Sequence, residues 1–134
     1  MSKVVLVLRV LMGLPLVVLG ANGFLEWFEV PTGTQPADAI RFLHALEQGV
    51  YLMPLVRGVE ILAGVLLLMG WLVPLALLLM APLLVNYVAF HVFLDSPANG
   101  VLAYSLAGLE LLLAICYGPS FRSVLAFRPP HRFR

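Results

Sequence analysis

Apolar positions in this chain do not alternate, nor do they recur every third or fourth residue. They run on. Four stretches are almost unbroken: Val4 to Leu25, Tyr51 to Met69, Trp71 to Leu94 and Val101 to Tyr117. A helix rises about 1.5 Å per residue, so about 20 apolar residues cross a hydrocarbon layer about 30 Å thick. Each stretch meets that length or comes near it, and an apolar surface all round suits a helix surrounded by lipid. The pattern predicts an all-α protein, a four-helix transmembrane bundle over residues 1–118 followed by a basic tail over 119–134. The prolines inside the runs are compatible with this. Pro54 and Pro74 fall in first turns, where a missing N–H costs little. Pro15 and Pro82 are expected to kink their helices, with neighbouring helices accommodating the bend.

The polar breaks between the runs are unequal. Gly70 alone separates the second from the third, and "DSPANG" separates the third from the fourth. Residues 26–50 form one long loop with room for a short helix. Thr34 is a candidate cap for it, Pro36 fits its first turn, and Asp38 suits its positive end. Ile40, Leu43 and Leu46 would then share one face, opposite Arg41 and Glu47. That is the pattern of a helix lying on a membrane surface, or of one packed on the end of the bundle.

Composition changes this picture only by confirming its class. The chain has 134 residues, 62% of them hydrophobic and 11% charged, with a mean hydropathy of +1.02. Soluble domains have about 45–50% apolar and about 25% charged residues. There is too little polar surface here to cover a water-exposed fold, so the bilayer is the expected environment. No basic surface large enough for nucleic acid is present. A lone cysteine, Cys116, excludes an intramolecular disulfide and a CxxC redox motif. The first twenty residues resemble a secretory leader. Arg9 interrupts them, however, and the apolar run continues to Leu25, so a retained first helix is expected.

The distribution of charge matters more than its sum. Lys3 precedes the first run, and Arg122, Arg128, Arg132 and Arg134 follow the fourth. The long loop carries Glu26, Glu29, Asp38 and Glu47 against Arg41, and the last loop carries Asp95. By the positive-inside rule both termini are cytoplasmic and the long loop is outside.

Against this background Arg9, Asn22, Arg57, Glu60, Asn86, His91 and Glu110 stand out, because they fall inside the apolar runs. A charge at mid-bilayer costs roughly 2.5–3.5 kcal/mol on insertion scales. Such groups are expected to face the bundle interior and find partners, and the two arginines match the two glutamates in number. Counting from the outer ends, Arg57 lies about 9 Å deep, and Glu60 and Glu110 both lie about 13–14 Å deep. "GVE" at 58–60 and "GLE" at 108–110 also hint at two related hairpins. Gly58, Gly64 and Gly108 offer small surfaces for close helix approach. Each polar group has a plainer reading. The Arg57 stem reaches the outer interface, Glu60 can form a structural ion pair with Arg57 or Arg9, the two asparagines can serve as interhelical hydrogen-bonding groups, and His91 can sit at the interface. Taken together, they are expected to form one polar pocket opening outward, with ligand-binding or proton-handling roles.

Three segments carry a family resemblance: "RVLMGLPLVVLGANGF" (9–24), "YLMPLVRGVEILAGVLLLMG" (51–70) and "PLALLLMAPLLVNYVAFHVFLDSP" (74–97). With the first-run arginine, Glu60 after a proline-opened helix, and Asn86 and His91 five apart, the chain resembles the DoxX family of small four-helix bacterial membrane proteins over about residues 4–118. The resemblance implies a place in a bacterial cytoplasmic membrane. It also implies redox association, since the family takes its name from subunits of an archaeal thiosulfate:quinone oxidoreductase. Other members are linked to thiol-handling oxidative-stress complexes, and a distant animal relative looks like a receptor-assembly chaperone. The absence of a cysteine pair argues against thiol–disulfide chemistry in this chain itself.

The leading expectation is therefore a redox-associated subunit that binds a quinone or similar small amphipathic ligand. Arg57 and His91 would be donors, Glu60 and Glu110 proton acceptors, with Tyr87 and Phe90 nearby. It would need an electron-donating partner, since neither a haem motif nor iron–sulfur spacing is present. The alternative is an assembly or interaction protein whose charges are structural and whose outer loop or tail is the working surface. A third reading, a small-solute or proton pathway, would require a homo-oligomer. No metal-ligand spacing is present, and no serine or cysteine sits beside a base for nucleophilic catalysis.

Overall fold

The structure is a computed structural model and describes residues 2–125. Arg128, Arg132 and Arg134 of the expected basic tail lie outside the described residues. The chain is all-helical: α1 (Lys3–Leu25), α2 (Ala37–Gln48), α3 (Leu52–Met69), α4 (Val73–Ala89, continued by a π-helical turn over Phe90–Leu94) and α5 (Val101–Cys116, preceded by a 3₁₀ turn over Pro97–Gly100). Among the described residues, four helical stretches are long and apolar enough to cross a membrane: Lys3–Leu25, Leu52–Met69, Val73–Leu94 and Pro97–Cys116. That is the architecture of a multi-pass membrane protein.

Local chemistry sets the helix ends. The Ser2 hydroxyl accepts a hydrogen bond from the Val5 N–H at 3.2 Å and caps α1. At the end of α3, Gly70 takes a left-handed conformation (φ 76°), its N–H bonded to the carbonyls of Leu66 and Leu67. Trp71 N–H returns to Leu66 O at 3.1 Å, completing a glycine-terminated cap. Leu72 is also left-handed (φ 47°) and opens α4, with Pro74 inside the first turn. The α3–α4 reversal therefore uses three residues rather than Gly70 alone.

The long helices form a ring, α1 beside α3, α3 beside α4, α4 beside α5 and α5 beside α1. The α1–α3 contact is the most extensive and is antiparallel: Gly13 meets Gly64, while Gly20 and Gly23 meet Arg57. A Cβ placed at Gly64 would lie 2.8 Å from the Gly13 carbonyl, so the two backbones touch because neither residue has a side chain. Gly58 and Gly108, offered by the sequence as further close-approach positions, have open space where a Cβ would be. They lie on the wrong face of their helices to meet a neighbour. The core is filled by Met12 and Leu16 of α1, Leu67 of α3, Leu77, Met80 and Leu84 of α4, and Leu113 of α5. Val4, Val7, Leu14, Leu111 and Ile115 point outward, exposed on the bundle surface.

The loop helix differs from its sequence pattern in two ways. Thr34 does not cap it: Pro36 holds the N-cap position without a side-chain hydrogen bond, and the Thr34 carbonyl instead accepts from Asn99. Its inward face is led by Ala39 and Phe42, whereas Ile40 is 44% exposed. Phe42 stacks on Phe90 of the π turn at a centroid distance of 5.7 Å, and this contact sets the rotation of α2.

Candidate functional site

A hollow lies where α1 ends and α3 begins, under the first residues of the long loop. It has a volume of about 750 Å³ and is lined by Asn22, Trp27, Phe28, Met53, Arg57 and several further loop and helix residues, including Glu26, Glu29 and Glu47. That size is within the range of small-molecule sites, about 300–1,000 Å³. Aromatic rings and three carboxylates surround an opening with one guanidinium at its wall.

Two local devices build this cleft. Glu26 ends α1 in a left-handed conformation (φ 50°) and turns the chain back over the helix. Asn22 then holds the returning strand at both ends of its amide. Its Nδ2 donates to Phe28 O at 2.9 Å, and its Oδ1 accepts from Phe28 N at 3.0 Å. This places Trp27 and Phe28 along the cleft. Arg57 crosses α1 at Gly23, where a Cβ would lie 2.7 Å from the arginine side chain. The crossing is open because α1 has a glycine there.

Arg57 also faces inward. Its Nη1 donates to Glu60 Oε2 at 3.0 Å, and the hydroxyl of Tyr87 on α4 donates to Glu60 Oε1. Glu60 is almost completely buried, while the Arg57 side chain remains 31% exposed. A hydrogen-bonded chain thus runs from the cleft through Arg57 and Glu60 to Tyr87.

The other candidates do not converge on that pocket. Arg9 lies at the opposite end of the bundle. Its Nε donates to Leu67 O at 2.8 Å and its Nη2 to Leu68 O at 3.2 Å. It therefore serves the exposed carbonyls at the end of α3, where a cation also suits the negative end of the helix dipole. Of the expected matching of two arginines to two glutamates, Arg57–Glu60 is an ion pair. His91 Nδ1 meets Asp95 Oδ2 at 2.9 Å, one turn along the π segment. Asn99 donates to Asp95 Oδ1 at 3.1 Å and to Thr34 O at 3.2 Å, tying this corner to the long loop. Asp95 lies between the spanning helices. Its burial disfavours the charge, but hydrogen bonds from Ser96 N–H, Asn99 and His91 outweigh that and hold its carboxyl below the ordinary value. Asn86 is exposed on α4. Glu110 is buried in a separate hollow between α4 and α5, and its Oε2 has no hydrogen-bond partner among the described residues.

Sequence reasoning gave Tyr87 only as a nearby aromatic, and treated Asp95 only as a loop charge. The His91–Asp95 pair did leave a signal, since residues four apart at a helix end can meet; Asn99 joins them from the separate 3₁₀ turn after the extended Asp95 and Ser96. The Glu60–Tyr87 bond left none, because it joins different helices 27 residues apart in sequence.

No protein-family model, curated protein or solved structure matches the chain.

Proposed function

We propose that this is a DoxX-like integral membrane protein of a bacterial cytoplasmic membrane. It acts as a redox-associated subunit whose cleft takes the polar head of a quinone or similar small amphipathic molecule. One observation carries the reading: Arg57 lines the cleft while its Nη1 is bonded to the buried Glu60, itself bonded to Tyr87. The guanidinium can donate to a ligand carbonyl, and a buried carboxyl lies one hydrogen bond behind it.

Reduction of a quinone to a quinol takes two electrons and two protons, one proton for each carbonyl oxygen. The electrons come from a redox partner protein. The protons enter past the acidic rim of Glu26, Glu29 and Glu47, and Glu60 is the station nearest the head group. In this reading both termini are cytoplasmic and α2 lies at the outer surface. Lys3 and Arg122 at one end, and Glu26, Glu29, Asp38, Glu47 and Asp95 at the other, support that orientation.

The test is quinone content after purification in mild detergent, followed by quinone titration of the wild type, Arg57→Gln and Glu60→Gln. Retained quinone with at least about tenfold weaker binding in Arg57→Gln is expected, the loss of one hydrogen bond to a charged donor. Absence of retained quinone, together with unchanged affinity in both variants, overturns the reading.

A further inference from the structure

The hollow between α4 and α5 has a different character from the cleft. It has a volume of about 500 Å³ and opens sideways on the bundle surface, where hydrocarbon would lie. Its walls are Leu84, Val85, Val88 and Phe93 from α4 and Ala107 and Leu111 from α5, with other aliphatic residues. Val85, Phe93 and Leu111 are 71%, 81% and 66% exposed, so the mouth is wide and apolar. Glu110 is the one polar side chain among the residues that line it. Glu110 is 9% exposed, and its Oε2 is fully buried without a hydrogen-bond partner among the described residues.

That combination is costly for the isolated chain. A buried polar atom without a partner forfeits about 1–3 kcal/mol, and a charge at membrane depth costs more. The contrast with Glu60 is direct, since Glu60 has Arg57 on one oxygen and Tyr87 on the other. No cation or donor side chain lines the α4–α5 hollow, so a complement to Glu110 must arrive from outside the described residues.

We propose that the α4–α5 groove is a second ligand site. It takes an apolar-bodied molecule with a cationic, hydrogen-bond-donating head, a protonated lipophilic amine. The ammonium donates to the Glu110 carboxyl, and the alkyl or aryl body lies against Val85, Val88, Phe93 and Leu111. The volume fits a drug-sized molecule. An apolar wall with a single oppositely charged group gives affinity from the body and orientation from the head. Entry is lateral, from the bilayer, because the mouth is bounded by exposed aliphatic side chains. The site is separate from the cleft at Arg57.

The test uses N,N-dimethyldecylamine as the ligand probe and dicyclohexylcarbodiimide as the reporter of Glu110. This tertiary amine donates one N–H when protonated and cannot form an amide with the activated acid. The carbodiimide partitions into apolar regions and adds to a carboxylic acid. The acid proton goes to one reagent nitrogen, and the carboxyl oxygen bonds to the central carbon. Acyl transfer to nitrogen then leaves a stable N-acylurea, so the peptide gains the mass of one reagent molecule. On the full chain in lipid nanodiscs, labelling is expected at Glu110, with the amine slowing it at least about fivefold. Amine affinity measured by calorimetry is expected to fall at least about tenfold in Glu110→Gln. Ala107→Phe fills the groove and leaves Glu110 in place, and is expected to lose binding as well. Circular dichroism and a monodisperse elution profile establish that both variants are folded. Labelling indifferent to the amine, or equal amine affinity in wild type and Glu110→Gln, overturns the proposal. So does protection of Glu110 by dimerisation alone, which would make the groove a contact between copies. Quinone retention is read on the same samples. Its persistence in Glu110→Gln separates failure of this site from failure of the cleft.

Discussion

Arg9 Nε donates to the Leu67 carbonyl at 2.8 Å, so a side chain near the start of α1 closes the end of a helix 58 residues further on. The α3–α4 reversal sits directly beneath this contact, since a Cβ on Gly70 would collide with the Arg9 guanidinium. Arg9→Met is expected to cost about 1–2 kcal/mol through lost hydrogen bonds to helix-end carbonyls. Gly70→Ala is expected to cost about as much, from its positive φ and from displacing Arg9. The double variant should lose less than the sum, because the second change removes what the first disturbs. Denaturant unfolding of all four proteins in one detergent measures this, and strict additivity would show that Arg9 and Gly70 act independently.

The Glu60 hydrogen bonds make a second prediction. Tyr87→Phe removes one donor to a buried carboxyl and should lower stability by about 1–3 kcal/mol. In a Glu60→Gln background the same change should cost less, because the acceptor is no longer a carboxylate. Melting temperatures of the four members of this cycle supply the coupling. Zero coupling would mean that the Tyr87 hydroxyl is satisfied elsewhere.

The glycines divide into two classes. Gly64→Ala places a methyl 2.8 Å from the Gly13 carbonyl and 2.7 Å from a Val17 methyl, so α1 must move away. A loss of about 1–3 kcal/mol is expected, as for other overpacked contacts. Gly58→Ala and Gly108→Ala meet open space and should be neutral or stabilising by about 0.4–1 kcal/mol. The unfolding midpoint of Gly64→Ala should therefore fall below that of the wild type, and those of Gly58→Ala and Gly108→Ala at or above it. Destabilisation by Gly108→Ala would point to a partner helix covering that face.

Asp95 gives the chain an acid limit. Its carboxyl is held below the ordinary value of 3.8 by Ser96 N–H, Asn99 and His91, against the effect of burial. A depressed folded-state value stabilises the fold at pH above the unfolded value, and that contribution is lost as pH falls through the folded one. The melting temperature should therefore decline as pH drops from about 4 downward. Asp95→Asn should be less stable at neutral pH and flatter over that range. An acid limb of unchanged slope in Asp95→Asn would assign it to other carboxylates.

The sequence by itself determined the four long apolar helices, because a run of about 20 apolar residues is a property of local composition and needs no partner to be read. The tight α3–α4 reversal was nearly as legible, since Gly70 can adopt a left-handed conformation that other residues resist. What composition could not determine was which way each polar side chain points. Arg57 and Glu60, three apart on α3, meet one another and so were readable as a pair. Arg9, Tyr87 and Glu110 were not, because their surroundings depend on how each helix is rotated against its neighbours. Only the packed bundle decided that Arg9 serves the end of α3, that Tyr87 completes Glu60, and that Glu110 faces a groove whose other described lining residues are apolar. Helix rotation is set by many small contacts, Gly13 on Gly64 and Phe42 on Phe90 among them. Those contacts join positions far apart in sequence, where no local pattern records them.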